Sequence, residues 1–180
     1  MASLRTLVAY VEDKPGVLNR VASLFRRRSY NIASLNVGRT HEAGVSRMTI
    51  VVEGDSRVAQ LMEANLYKLV NVLSVQDITD TPSVVRDMAL IKIAPEEHRR
   101  GEVLQLIEVF HGRVVDISSA TLIAEITGSP DKIDAFVEVL QPFGIAEMVQ
   151  TGRISMTRGV EGEASRISHG QGSDSVVTAA

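Results

Sequence analysis

The chain opens on an apolar, β-rich run, Leu4 to Glu12 (LRTLVAYVE), which Asp13-Lys14-Pro15-Gly16 breaks with turn-forming residues. Val17, Leu18, Val21, Leu24 and Phe25 then recur at helical spacing on one stripe, while Asn19, Arg20, Ser23, Arg26 and Arg27 occupy the other face. Two strand-like runs follow, Asn31 to Val37 and Ser46 to Glu53, joined by the polar connection Gly38 to Val45 and expected to form a hairpin. Asp55 or Ser56 can cap a second helix whose stripe is Val58, Leu61, Met62, Leu66, Leu69 and Val70, and Val72 to Ile78 reads as a last strand. The predicted order is βαββαβ, ending at a turn region around Asp80 to Ser83 that contains Pro82.

The same order recurs. Asp87 to Ala94 reads as a strand, Arg99 to Phe110 as a helix with stripe Val103, Leu104, Ile107 and Phe110, and Arg113 to Ile117 with Thr121 to Thr127 as a strand pair. Ser129 as cap and Pro130 at the first helical position open a fourth helix, with stripe Ile133, Phe136, Val137 and Leu140. Ile145 to Met156 is expected to close the sheet. The fold class is therefore α+β: two ferredoxin-like βαββαβ domains in tandem, at 1–80 and 81–158, each an antiparallel sheet covered by two helices. From Gly159 to Ala180 the composition turns to Gly, Ser, Glu and Gln without apolar periodicity, which predicts a flexible tail.

Composition narrows the chemistry. With 44% apolar and 23% charged residues the 180-residue chain can bury a core, and a formal net charge of -3 provides no field that favours nucleic acid or an anionic membrane. There is no cysteine, which excludes disulfides, thiolate nucleophiles and Cys-ligated metal sites and agrees with an expected cytoplasmic location. Apolar runs fall far short of the roughly 20 residues needed to span a bilayer. Glu12 and Asp13 interrupt any signal-peptide core, so no export is expected.

The turn Asp13 to Gly16 is the most informative stretch, because it joins a strand to the start of an amphipathic helix. Backbone N–H groups without intrahelical acceptors collect there, at the positive end of the helix dipole, and together they suit a carboxylate. Gly16 lets a ligand approach the backbone, Pro15 is tolerated because a helix's first N–H lacks a partner anyway, and Asp13 can receive an ammonium group. A carboxylate receptor beside an ammonium receptor is what a free α-amino acid requires, although the same residues also make an ordinary acidic turn. Elsewhere, Gly170 to Ser175 echoes a dinucleotide glycine pattern without the flanking strand and helix, and His41, His98, His111 and His169 lack metal-ligand spacing. Arg26-Arg27-Arg28 falls in a last helical turn, where cations complement the dipole. No nucleophile with a matching base, and no phosphate-binding loop, stands out.

The run EDKPGVLNRVASLFRRRSYNIASLNVGRT, followed by VSRMTIVV and LYKLVNVLSV, resembles the ACT domain of acetohydroxyacid synthase small subunits. RDMALIKI, FHGRVVDIS and TGSPDKIDAFVEVLQPFGI resemble the C-terminal domain of that family, so the likeness spans almost all of Leu4 to Arg158. The resemblance implies a regulatory subunit of branched-chain amino acid biosynthesis. It would activate a catalytic large subunit and mediate feedback inhibition by valine, without catalytic residues or cofactor of its own; FAD, thiamine diphosphate and magnesium would belong to the catalytic partner. It also implies a homodimer joined through the ACT edge strands, with the effector at the interface. Carried onto this chain, Gly16 and Val17 would offer N–H groups to the carboxylate and Asp13 would receive the ammonium. Pro15 and Leu18 complete the turn side of the site, and Asn31 with Ile32 would come from the other protomer. Some family members have Asn where this chain has Asp13; an acid binds ammonium more strongly but costs more to desolvate. The second half replaces the compact turn by Ala94-Pro95-Glu96-Glu97, and no matching site is expected there. The rival class is a free-standing amino-acid-sensing ACT regulator without an enzyme partner.

Overall fold

The computed structural model describes residues 3–159, so the predicted tail, from residue 160 onward, lies outside the described residues. The chain divides into two compact units. In the first, β1 (Leu4–Glu12), α1 (Val17–Arg27), β2 (Ile32–Arg39), β3 (Val45–Glu53), α2 (Ser56–Leu66) and β4 (Val72–Asp77) build a four-stranded sheet in the order β2-β3-β1-β4. β1 and β3 pair antiparallel from Leu4 opposite Glu53 to Glu12 opposite Val45, and β4 flanks β1 on its other side. Leu7, Ala9 and Val11 of β1 alternate along one face with Met48, Ile50 and Val52 of β3. All six are buried, as are Val17, Val21, Leu24 and Phe25 of α1 and Ala59, Met62 and Leu66 of α2. At the outer end of the sheet Arg5 clasps the Asp77 carboxylate through Nε and Nη2, pinning the start of β1 to the end of β4.

The second unit repeats this plan. β5 (Ser83–Ile93), α3 (Arg100–Val109), β6 (Arg113–Ile117), β7 (Leu122–Gly128), α4 (Pro130–Leu140) and β8 (Ile145–Gln150) give the strand order β6-β7-β5-β8, with β9 (Ile154–Thr157) also paired to β5. Its core joins Ala89, Ile91 and Ile93 of β5 and Leu122, Ala124 and Ile126 of β7 to Val103, Ile107, Ile133, Phe136 and Leu140 from the helices. Ser129 caps α4 by accepting from the Lys132 N–H, and Pro130 occupies the first helical position. The predicted tandem α+β architecture is the one observed.

Several local readings change. Leu18 lies on the predicted apolar stripe of α1 but is 45% exposed, while its neighbour Val17 is buried. α2 stops at Leu66, so Leu69 and Val70 fall beyond it; its buried line is Ala59, Met62, Asn65 and Leu66, and Leu61 faces solvent. The single closing strand expected over Ile145 to Met156 is interrupted at Thr151, Gly152 and Arg153 and becomes β8 and β9.

Candidate functional site

The Asp13-Lys14-Pro15-Gly16 segment forms a tight turn outside the helix rather than its first turn. Gly16 has φ 84° and ψ −6°, and the Val17 N–H reaches back to the Lys14 carbonyl at 3.3 Å. These are the features of a type II turn, with Pro15 supplying the fixed φ of its second position and Gly16 the left-handed third. Pro15 therefore precedes the helix cap, and it is suited to that place by its φ rather than by the N–H it lacks.

Gly16 is the N-cap of α1, and no side chain among the described residues caps that end; the first turn also carries no acidic residue. By contrast, α2 is capped by the Asp55 carboxylate on the Val58 N–H. The Val17 N–H is turned toward Lys14, whereas those of Gly16, Leu18 and Asn19 have no acceptor among the described residues. Beside them the exposed Asp13 carboxylate makes no hydrogen bond or ion pair among the described residues. The cluster thus presents uncompensated donors and one free carboxylate, with no side chain among the described residues occupying either.

A second layer holds the turn. The Asp13 N–H donates to the Gly44 carbonyl at 2.7 Å, and the Glu12 N–H to the Asn71 carbonyl at 2.9 Å. The Asn71 side-chain amide donates to Glu12 Oε2, its oxygen accepts from Arg20 Nη1, and Lys14 Nζ lies 3.0 Å from the same Glu12 oxygen. The Asn71 amide first, and Lys14 after it, hold the Glu12 carboxyl below its ordinary range. Gly44 and Asn71 were not singled out by the sequence. Gly44 had a faint signal as the glycine of a hairpin connection, and its φ of 79° explains the residue type; a lone Asn ahead of a strand had none.

Asn31 and Ile32 lie elsewhere in the same protomer. Ile32 begins β2 at the edge of the sheet, and Asn31 donates to Glu53 Oε1 at 3.4 Å. Glu53 pairs with Leu4, whereas Val45 pairs with Glu12, so Asn31 sits at the opposite end of the sheet from the turn. The eight residue steps between those pairs amount to roughly 26 Å at about 3.3 Å per residue. One protomer does not bring Asn31 and Ile32 to Asp13 and Gly16.

The second unit has no counterpart of the turn. After β5 the Ala94 N–H donates to the Gly144 carbonyl at 2.8 Å, and Glu97–Arg99 form a 3-10 turn ahead of α3. His41, His98 and His111 are exposed, and no cluster among the described residues could hold a metal ion. His169 and the glycine pattern at 170–175 lie outside the described residues. No described helix is long and apolar enough to cross a membrane.

Two family models match in succession, an acetohydroxyacid synthase small subunit-like ACT domain over residues 7–74 and the small subunit of acetolactate synthase over residues 86–159. A probable acetolactate synthase small subunit of Archaeoglobus fulgidus is 46% identical over 154 residues, covering 86% of this chain and 96% of that protein. An acetolactate synthase small subunit of Aquifex aeolicus is 48% identical, over 82% of this chain and 78% of its own. The crystal structure of the acetolactate synthase small subunit of Thermotoga maritima superposes with a TM-score of 0.82 at 37% identity, covering 88% of this chain and 99% of that one.

Proposed function

The chain belongs to the acetolactate synthase small-subunit family, and from that membership we propose that it is a regulatory subunit that pairs with a catalytic large subunit, raises its activity and conveys feedback inhibition by valine. FAD, thiamine diphosphate and magnesium belong to the partner in this reading, and turnover takes place there, in the cytoplasm. Residues 1–80 sense the effector and 81–158 form the second domain.

The observation that carries the sensing role is the uncapped start of α1 beside the free Asp13 carboxylate. A valine carboxylate takes the N–H groups of Gly16 and Leu18, where the helix dipole favours an anion. Its ammonium faces Asp13. The Val17 N–H, already turned to Lys14, contributes less than the resemblance implied. The isopropyl group needs an apolar wall, and exposed Leu18 with Ile32 of a second protomer provides one.

The edge position of β2 makes such a second protomer reasonable, since an edge strand carries backbone groups that its own sheet leaves unpaired. Twofold, antiparallel pairing of β2 with its copy sets the Ile32 end of one strand against the Arg39 end of the other. Arg39 lies at the end of the sheet where Val45 and the Asp13 turn are found, so the partner's Asn31 and Ile32 come to the turn that the chain's own pair cannot reach. Coupling of about 1 to 3 kcal/mol between effector and catalytic arrangement suffices for regulation.

Calorimetry with valine, leucine and isoleucine, run beside acetolactate synthesis by the large subunit with and without this chain, tests the reading. Expected are saturable heat with valine, activation by the chain alone, and inhibition once valine is added. Acetolactate formation by the chain alone, or no effect on the large subunit, overturns it.

A further inference from the structure

The C-terminal ends of α1 and α2 converge on a cavity of about 460 Å³ lined by Leu24, Arg27, Arg28, Asn65, Lys68 and Leu69. Asn65 is 6% exposed and organises it: its side-chain amide donates to the Leu61 carbonyl at 2.6 Å, and its oxygen accepts from Arg28 Nη2 at 3.1 Å and Lys68 Nζ at 3.4 Å. One buried amide thus holds two cations, Arg28 just past the end of α1 and Lys68 just past the end of α2.

Basic residues at a helix end complement its dipole, and Arg27 and Arg28 need no other reason to be there individually. The cavity goes further. Arg27, Arg28 and Lys68 crowd one opening, no carboxylate lines it, and none of the three forms an ion pair among the described residues. The chain carries 22 acidic against 19 basic residues, so carboxylates are available, yet none among the described residues lines this opening. Like charges gathered without a counter-charge repel one another, and an acidic occupant relieves that repulsion.

The form of the opening selects the kind of occupant. All three cations are exposed, and the floor is apolar through Leu24 and Leu69. A small molecule would keep much of its surface in water here, whereas ligand sites bury most of theirs. A protein segment can place a carboxylate among the cations and an apolar side chain on the two leucines, and Arg is a residue type enriched where such contacts dominate binding. We propose that this cavity docks an acidic segment of the catalytic large subunit, with a carboxylate set between Arg28 and Lys68 and an apolar neighbour on Leu24 and Leu69. The assignment rests on the regulatory-subunit reading above.

The test measures affinity of the full chain for the large subunit at several salt concentrations, for the wild type and for Arg28→Gln combined with Lys68→Gln. Asn65→Leu serves as an independent variant, and circular dichroism confirms that each is folded. Expected is a loss of at least about tenfold in affinity for both variants and a flatter salt dependence for the double variant, with valine binding retained. Wild-type affinity and salt dependence in the double variant overturn the docking assignment and leave the regulatory reading standing. Absence of pairing by the wild type overturns both. Saturable binding of inorganic pyrophosphate that needs Arg28 and Lys68, with subunit pairing unchanged by their replacement, assigns the cavity to a small oxyanion and likewise overturns the docking assignment.

Discussion

The backbone N–H of Asp13 donates to the carbonyl of Gly44 at 2.7 Å, fastening the turn ahead of α1 to the connection between β2 and β3. Gly44 holds φ 79° with open space where a side chain would stand, so Gly44→Ala meets a torsional penalty and no collision. A loss of about 1 kcal/mol is expected. Because its carbonyl positions Asp13, valine affinity should fall several-fold as well. Urea unfolding and calorimetry on one preparation read both; unchanged affinity at reduced stability would detach Gly44 from the site.

Gly16→Ala acts at the helix start itself. The added methyl group has nothing within 4 Å, yet φ is 84°, so the cost is again torsional, about 1 to 2 kcal/mol if the turn keeps its shape. Should the turn relax instead, the free N–H groups swing away and the valine heat disappears. Calorimetry distinguishes this from a variant that is merely less stable, because the latter still binds.

Asn71→Ala removes the largest influence that depresses the Glu12 carboxyl, leaving Lys14 as the remaining one. The Glu12 titration midpoint, followed by NMR of its side-chain carbon, should move up toward the ordinary value of about 4.3. A midpoint that stays put would mean that Asn71 does not hold Glu12.

Asp77 supplies an acid-sensitive clasp. Burial pushes its carboxyl up, but hydrogen bonds from Thr79 and Arg5 outweigh burial and leave it below its usual range. A carboxyl depressed in the folded state stabilises above its unfolded value, about 3.9, and that contribution is lost as pH falls through the folded value. Asp77→Asn should therefore lower stability near neutral pH by roughly 1 to 3 kcal/mol and flatten the decline below about pH 4. Urea midpoints collected from pH 7 to pH 2.5 give both slopes.

Phe136 is fully buried, with its ring centroid 5.1 Å from that of Phe110. Phe136→Ala should cost about 3 to 5 kcal/mol through lost burial and the cavity left behind. Denaturant unfolding measures it, and a loss under about 1 kcal/mol would show that the core of the second unit collapses around the gap.

Much of the fold was legible because periodicity and punctuation agreed: Ser129-Pro130 opens α4, and the apolar alternation of β3 matches its register with β1. Leu18 shows the limit of that reading, since an apolar residue at the margin of a helical stripe can face either way and only packing decides. Asp13, Pro15 and Gly16 were found from residue types that prescribe a turn. The parts that Gly44 and Asn71 play at the turn were not legible, Gly44 showing only as the glycine of a hairpin connection, because they act through contacts 31 and 59 positions away along the chain, from Gly44 to Asp13 and from Asn71 to Glu12, and no local pattern encodes such a distance. The cavity between α1 and α2 escaped for the same reason: Arg28 and Lys68 meet only once Asn65 is buried between them.

Helices α2 and α4 carry their own terminal acceptors, Asp55 and Ser129, each of which takes one N–H of its helix's first turn. The beginning of α1 is left incomplete, so its integrity is a property of the surrounding solution as much as of the polypeptide. Amide hydrogens there should exchange readily in plain buffer and slow down when a dissolved carboxylate supplies what the sequence omits. A secondary-structure element with one unfinished end is thereby able to report the chemistry of the medium.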